Sequence, residues 1–142
     1  MSGEPQRPGR KRVLFVCVEN SNRSQMAEAF ARILGGERVE AWSAGSRPSG
    51  KVNPKAVAAM AELGYDLARH ASKSLADLPA LEFDAAVTMG CGDACPQVHA
   101  RTREDWSVED PREMEPAEFR AVRDRIAREV GALLARLGVA RV

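Results

Sequence analysis

The chain has 142 residues, a formal net charge of +1, 44% hydrophobic residues and 5% aromatic residues. That length suits one domain with a single core. Mixed charge speaks against nucleic acid or an anionic membrane as partner, and so few aromatics speak against a base-stacking platform.

Residues 1–11 read as a flexible N-terminal tail and residues 12–142 as one domain. No apolar stretch approaches the roughly 20 residues that cross a bilayer. The polar start, followed by Arg10-Lys11-Arg12, lacks a signal-peptide core, so the expectation is a cytoplasmic protein. Val13–Cys17 is a continuous apolar run of the buried parallel-strand kind. A helix beginning near Gln25 carries Met26, Ala29, Phe30, Ile33 and Leu34 on one face and ends at Gly35-Gly36. Val39–Ser43 reads as a second strand closing at Ala44-Gly45. Asn53 with Pro54 in the first turn predicts a helix start, with Val57, Met60, Ala61 and Leu63 facing inward up to Gly64. Ser72–Leu78 suggests one helical turn, Phe83–Met89 a third strand and Asp105–Val108 a short fourth. The last helix starts near Glu115-Pro116, repeats Phe119, Val122, Ile126, Val130, Leu133, Leu134 and Leu137 at helical steps, and stops at Gly138. Alternating strands and helices imply βαβ units, a mainly parallel sheet and helices on both faces. Ligands of such sheets bind outside the carboxyl ends of the strands, where Cys17, Ser43 and Cys91 fall.

Between the first strand and first helix lies Cys17-Val18-Glu19-Asn20-Ser21-Asn22-Arg23-Ser24. Backbone N–H groups at a helix N-terminus point at an anion, and an Arg adds a planar clamp for its oxygens. Cationic, helix-terminal settings of this kind also favour the thiolate of a cysteine. Cys17 is therefore the candidate nucleophile, aimed at phosphate, arsenate or a similar oxyanion held by residues 18–24. No Gly occurs from 17 to 24, so Asn20 is the candidate for a left-handed kink. Ser21 and Ser24 can donate to the sulfur.

Three cysteines occur, an odd number that suits thiol chemistry better than a disulfide framework. Cys91 and Cys95 are four apart with a Gly between them, and such thiols reach disulfide range if the segment turns. Inert packing is the plain alternative. Zinc is another, with His99 continuing the spacing, although Pro96 opposes a helix there and a fourth ligand has to come from Cys17 or His70. Asp110-Pro111, in a polar loop, is either a turn or the source of a general acid.

Taken together, Cys17…Arg23-Ser24, Gln25-Met26-Ala27-Glu28, Trp42-Ser43-Ala44-Gly45, Val52-Asn53-Pro54, Asp66, Cys91…Cys95-Pro96, Trp106 and Asp110-Pro111 resemble a known family. It is that of the arsenate reductases related to low-molecular-weight protein tyrosine phosphatases, many of them coupled to thioredoxin. The likeness runs from Val13 to Leu137. It implies a four-stranded parallel sheet in a phosphatase-like αβα layer, and a relay in which Cys17 attacks arsenate held by the loop and Arg23. Asp110 then assists loss of an oxygen. Cys91 attacks Cys17, releasing arsenite, and Cys95 attacks Cys91. An external reductant such as thioredoxin reduces the resulting disulfide. No tightly bound cofactor is implied beyond a potassium ion beside the loop in some relatives, whose ligand positions correspond here to Asn20, Glu28, Ser43 and Asp66.

Two departures from the family pattern stand out. Glu19 replaces a frequent Gly, and its side chain is expected to turn outward. The Cys91–Cys95 spacing is shorter than in many thioredoxin-coupled members, and relatives with it include ones that look coupled to a small thiol such as mycothiol. Two other functions compete. A tyrosine phosphatase would need only the loop and Asp110, but Arg112-Glu113-Met114 offers no aromatic wall for a phenyl ring. A non-enzymatic arsenite- or metal-binding module would use the thiols and histidine alone.

Overall fold

A parallel strand covered on both faces has to be apolar along its whole length. The computed structural model, which describes residues 10–90 and 99–139, places such a strand at the centre: β1 (Lys11–Cys17) is buried from Val13 onward. It pairs in parallel with β2 (Val39–Gly45) on one side and β3 (Phe83–Thr88) on the other. The edge strand β4 (Ala100–Asp105) joins β3, giving a four-stranded sheet in the order β2-β1-β3-β4. Register sets Cys17 beside Gly45 and Val16 beside Thr88, so the strand ends share one edge. The chain leaves β1 toward β2 and returns to β1's other side as β3. That reversal between β1 and β3 is where such sheets open a crevice.

Helices α1 (Arg23–Gly35), α2 (Pro54–Ala61) and α3 (Pro116–Arg136) follow. All three bury residues in one core with Val13 and Phe15, among them Met26, Phe30, Met60, Ile126 and Leu134. Leu14, Val16, Phe83 and Ala86 form a second cluster against Trp42, Leu75, Leu78 and Leu81. On this face the described residues place one 3-10 turn, Leu75–Asp77, closed by a Ser74/Asp77 capping box and followed by Leu78 and Leu81.

Several boundaries and faces differ from the sequence expectation. Lys11 already belongs to β1 and Arg10 lies 3.9 Å from Glu40, so the tail expected to reach residue 11 ends earlier; residues 1–9 lie outside the described residues. Ile33 is 37% exposed, because beside Arg32 it falls on the outer face of the last turn of α1, which packs against Val39 through Gly35. Helix α2 buries Ala56, Ala59 and Met60, whereas Ala61 and Leu63 face out, since the helix stops at Ala61 and the chain turns. The fourth strand is Ala100–Asp105 rather than Asp105–Val108. Its residues are polar because an edge strand needs only backbone pairing and one covered side. The apolar signal at 106–108 comes instead from a turn that tucks Trp106 and Val108 under the sheet edge, Trp106 lying 6.0 Å from the Phe15 ring.

One polar tie fastens the segment after α2 to α1. Gln25 is fully buried, and its Nε2 donates to the Asn20 carbonyl, Asn20 Oδ1 and the Ala71 carbonyl at 2.9–3.0 Å. Its Oε1 is thereby turned to His70 Nδ1 at 2.9 Å, which fixes the proton on Nδ1. His70 Nε2 then accepts from Tyr65 Oη at 2.7 Å. Burial holds the imidazole below its ordinary pKa, only partly opposed by Glu28, and burial likewise pushes the Tyr65 phenol up. The unfolded chain therefore takes up a proton near pH ~6.5 that the folded chain refuses. The contribution is complete above that pH and is lost as pH falls through it. Urea unfolding at about pH 7.5 and about pH 5.5 is expected to show a larger acid loss for the native chain than for His70→Gln. Equal losses would contradict the tie.

Candidate active site

A loop that has to aim successive amides at one point needs its carbonyls drawn off elsewhere. The carbonyl oxygens of Cys17, Val18, Glu19 and Ser21 accept from the N–H groups of Ser46, Arg47, Ser49 and Asn53 at 2.8–3.2 Å. Asn20's carbonyl accepts from Gln25. In a trans peptide the N–H opposes the preceding C=O, and among the described residues no peptide bond is cis. The amides of residues 18, 19, 20 and 22 are therefore turned away from the 46–53 segment, and beside the loop opens a cavity of about 200 Å³ lined by Cys17, Val18, Glu19, Ser21, Asn22, Arg23, Asp110 and Arg112. Gly45 makes this backing possible, since a Cβ there would lie 2.6 Å from the Val18 carbonyl oxygen.

Asn20 supplies the expected kink, with φ 51°, and its side chain is fully buried. Its Nδ2 donates to Ser24 Oγ at 2.8 Å, and Ser24 Oγ lies 2.9 Å from Cys17 Sγ. Ser24 accepts from Asn20 and keeps its own hydroxyl hydrogen available to donate to a thiolate at Cys17. Ser21, the other expected donor, instead donates to the Lys51 carbonyl at 3.0 Å, because the 49–53 segment passes beside it. Cys17 is 2% exposed.

Arg23 opens α1 with its side chain buried against the cavity floor. Nη1 donates to the Val108 carbonyl at 3.0 Å, and Nη2 lies 3.9 Å from Asp110 Oδ2. Gly90, at φ 80°, backs directly on this guanidinium: a Cβ there would stand 2.5 Å from Nη1. The chain just after β3 therefore approaches the anion clamp closely, immediately before Cys91 in sequence. Cys91 and Cys95 themselves lie outside the described residues. Asp110 is half-exposed on the cavity rim, and its Oδ1 accepts from the Arg112 N–H. Glu19 is expected to turn outward, yet its carboxylate pairs with Arg112 across the rim at 2.9 Å. A second cavity, about 340 Å³ between α2 and α3, is lined by Lys55, Met114 and Phe119 among others and by no cysteine or serine.

The four positions matching a potassium site do not present free oxygens around one point. Glu28 Oε1 accepts from Ser43 at 2.6 Å, and Oε2 accepts from Arg32 at 2.7 Å. Asn20 Oδ1 accepts from Gln25 and from the Lys73 N–H. Asp66 is exposed and caps a 3-10 turn through Ala68. Arg32's guanidinium already supplies the positive charge at Glu28, so this donor set does not fit a resident cation. Among the described residues no three His, Cys, Asp or Glu side chains gather as metal ligands. The cysteines of the zinc alternative, Cys91 and Cys95, lie outside the described residues, and His70 serves the loop through Gln25. Sequence reasoning passed over Gly90 altogether, and it named His70, Gly45 and Arg112 for other reasons: a candidate zinc ligand, the close of the second strand and part of a family motif, and a missing aromatic wall.

The Low molecular weight phosphotyrosine protein phosphatase family matches residues 12–141. The chain is 38% identical to the Glutaredoxin arsenate reductase of Synechocystis sp., over 89% of this chain and 98% of that protein. It is 39% identical to Arsenate reductase 1 of Staphylococcus epidermidis, over 82% and 90%. An arsenate reductase solved in the phosphate binding state superposes with a TM-score of 0.82, at 38% identity, covering 89% of this chain and 98% of that one. The thioredoxin-dependent arsenate reductase of Corynebacterium glutamicum gives a TM-score of 0.76 at 32% identity, covering 92% of this chain and 63% of that one. With its anion loop, parallel sheet and near-complete coverage, the chain belongs to the low molecular weight phosphotyrosine protein phosphatase family and is a homologue of that family's arsenate reductases.

Proposed function

We propose that this protein reduces arsenate to arsenite by a thiol relay that begins at Cys17. The observation that carries the reading is the approach of Gly90 to Arg23: the segment leading into the two remaining cysteines starts at the anion clamp. A tetrahedral oxyanion would rest on the amides of residues 18–22 and the Arg23 guanidinium. Preorganised donors of this kind act on developing charge at no cost of reorganisation. The Cys17 thiolate attacks arsenic, an S–As bond forms, and one oxygen leaves as water with a proton from Asp110.

Cys91, as thiolate, then attacks Cys17 Sγ. The new S–S bond forms as the S–As bond breaks, and its electron pair stays on arsenic, which departs as arsenite. Cys95 attacks Cys91, freeing Cys17 and leaving a Cys91–Cys95 disulfide for an external reductant. A thioredoxin-type dithiol is the reductant of this reading, supported by the thioredoxin-dependent relative; a mycothiol-type thiol with its redoxin is the variant suggested by the short cysteine spacing. Such thiol donors are maintained reduced in the cytoplasm, where we place the reaction. Among the described residues no helix is long and apolar enough to cross a membrane. The first step equally permits slow hydrolysis of phosphate esters through a phospho-cysteine.

Arsenate-dependent oxidation of a thioredoxin-coupled reductant is expected for the native protein and lost in Cys17→Ser, Cys91→Ser and Cys95→Ser. Cys91→Ser is expected to retain weak ester hydrolysis, since that reaction uses the first thiol alone. Normal arsenate reduction by both downstream variants would overturn the relay, and efficient phosphotyrosine hydrolysis with no response to arsenate would favour a phosphatase.

Gly90→Ala tests the clamp from behind. Left-handed backbone disfavours the added Cβ, which also meets Arg23 Nη1. Arsenate KM is expected to rise on the order of tenfold, equivalent to ~1.4 kcal/mol of lost binding, with the fold retained by circular dichroism. An unchanged KM would place Arg23 outside the binding step.

A further inference from the structure

The cavity has a floor and a rim. Cys17, Ser21, Asn22 and Arg23 are buried, whereas Glu19, Asp110 and Arg112 have side chains 41%, 41% and 51% exposed. Across that rim Arg112 Nη1 and Glu19 Oε2 meet at 2.9 Å, joining residues 93 positions apart. We propose that the Glu19–Arg112 pair is a selectivity strap over the mouth of the anion pocket. It admits free tetrahedral oxyanions and excludes monoesters of bulky alcohols.

The reach of Arg112 is prepared by its backbone. Its N–H donates to Asp110 Oδ1 at 3.1 Å, and its carbonyl accepts from Lys55 Nζ at 2.9 Å. The exposed Glu113 also lies 3.8 Å from Arg112 Nε, on the solvent side. Exposed ion pairs add little to stability, so the fold does not account for this one. Its charge balance does bear on the pocket. A lone carboxylate at Glu19 would repel an incoming dianion, and Arg112 cancels that charge at the rim. Small ions need the strap to part only briefly. A monoester has to keep its P–O–C bond directed out through the mouth, and the strap stands in that path for the whole reaction.

The strap rests on the oxyanion reading of the site, and the test separates the two. Glu19→Gln combined with Arg112→Ala removes the strap without changing the rim's net charge, so electrostatic attraction of either ligand is preserved to first order. Glu19→Arg combined with Arg112→Glu rebuilds the pair in reverse. Two quantities are read: kcat/KM for p-nitrophenyl phosphate, which needs no reductant, and Kd for inorganic phosphate by titration calorimetry, with thermal melting as the check on folding. The neutral double variant is expected to gain about tenfold or more in ester kcat/KM while phosphate Kd moves less than about threefold. The reversed pair is expected to hold ester turnover at the native level. Ester and phosphate shifting by the same factor, or ester turnover unchanged in the neutral variant, would overturn the strap. Failure of the native protein to bind phosphate at all would overturn the oxyanion reading, and the strap with it.

Discussion

A run of eight residues without glycine has to wrap around an anion, and the turn it needs contains one backbone conformation that L-residues avoid. Asn20 meets that constraint. Its left-handed φ is held by a side chain with both ends occupied: the amide nitrogen on Ser24, and the oxygen on Gln25 and the Lys73 N–H. Asparagine tolerates this region better than most residues because its short amide bonds locally. Release of that side chain would loosen three things together: the loop's curvature, the Ser24 hydroxyl aimed at Cys17, and the anchoring of the 70–73 segment.

The rest of the molecule makes this turn rigid. Sheet register brings the ends of β1 and β2 together at Cys17 and Gly45, so the segment after β2 runs beside the loop and takes its carbonyls. The reversal between β1 and β3 brings Gly90 behind Arg23. The pocket is a place where backbone approaches backbone and a guanidinium, and both glycines occur where a methyl group would not fit. A preorganised anion site of this design draws its strength from donors that need not move.

The fold was legible wherever burial imposes one pattern. Phe15 and its neighbours in β1, Met26 and Phe30 in α1, and the long stripe of α3 all read correctly, because a strand covered on both faces and an amphipathic helix leave little choice of residue. Strand β4 was not legible: Arg101-Thr102-Arg103 at a sheet edge is specified by backbone pairing, which leaves no apolar trace. The anion loop could be read because its chemistry is local in sequence. His70, Gly90 and Arg112 could not, since each acts on residues far away in the chain, and a buried imidazole held by Gln25 has no sequence signature of its own. Glu19 shows the same limit. A carboxylate beside an anion loop looks misplaced until the arginine 93 positions away is seen against it.

Alkylation of Cys17 by iodoacetamide, with and without inorganic phosphate, in native protein and in Asn20→Ala, tests the central constraint most directly. Modification followed by peptide mass spectrometry separates Cys17 from the other thiols. The native protein is expected to be shielded at Cys17 by phosphate, and Asn20→Ala to lose that shielding along with most of its selective reaction at this sulfur. Equal rates in the two proteins, or no shielding in the native one, would mean that the loop around Cys17 is not the oxyanion cradle that its backbone describes.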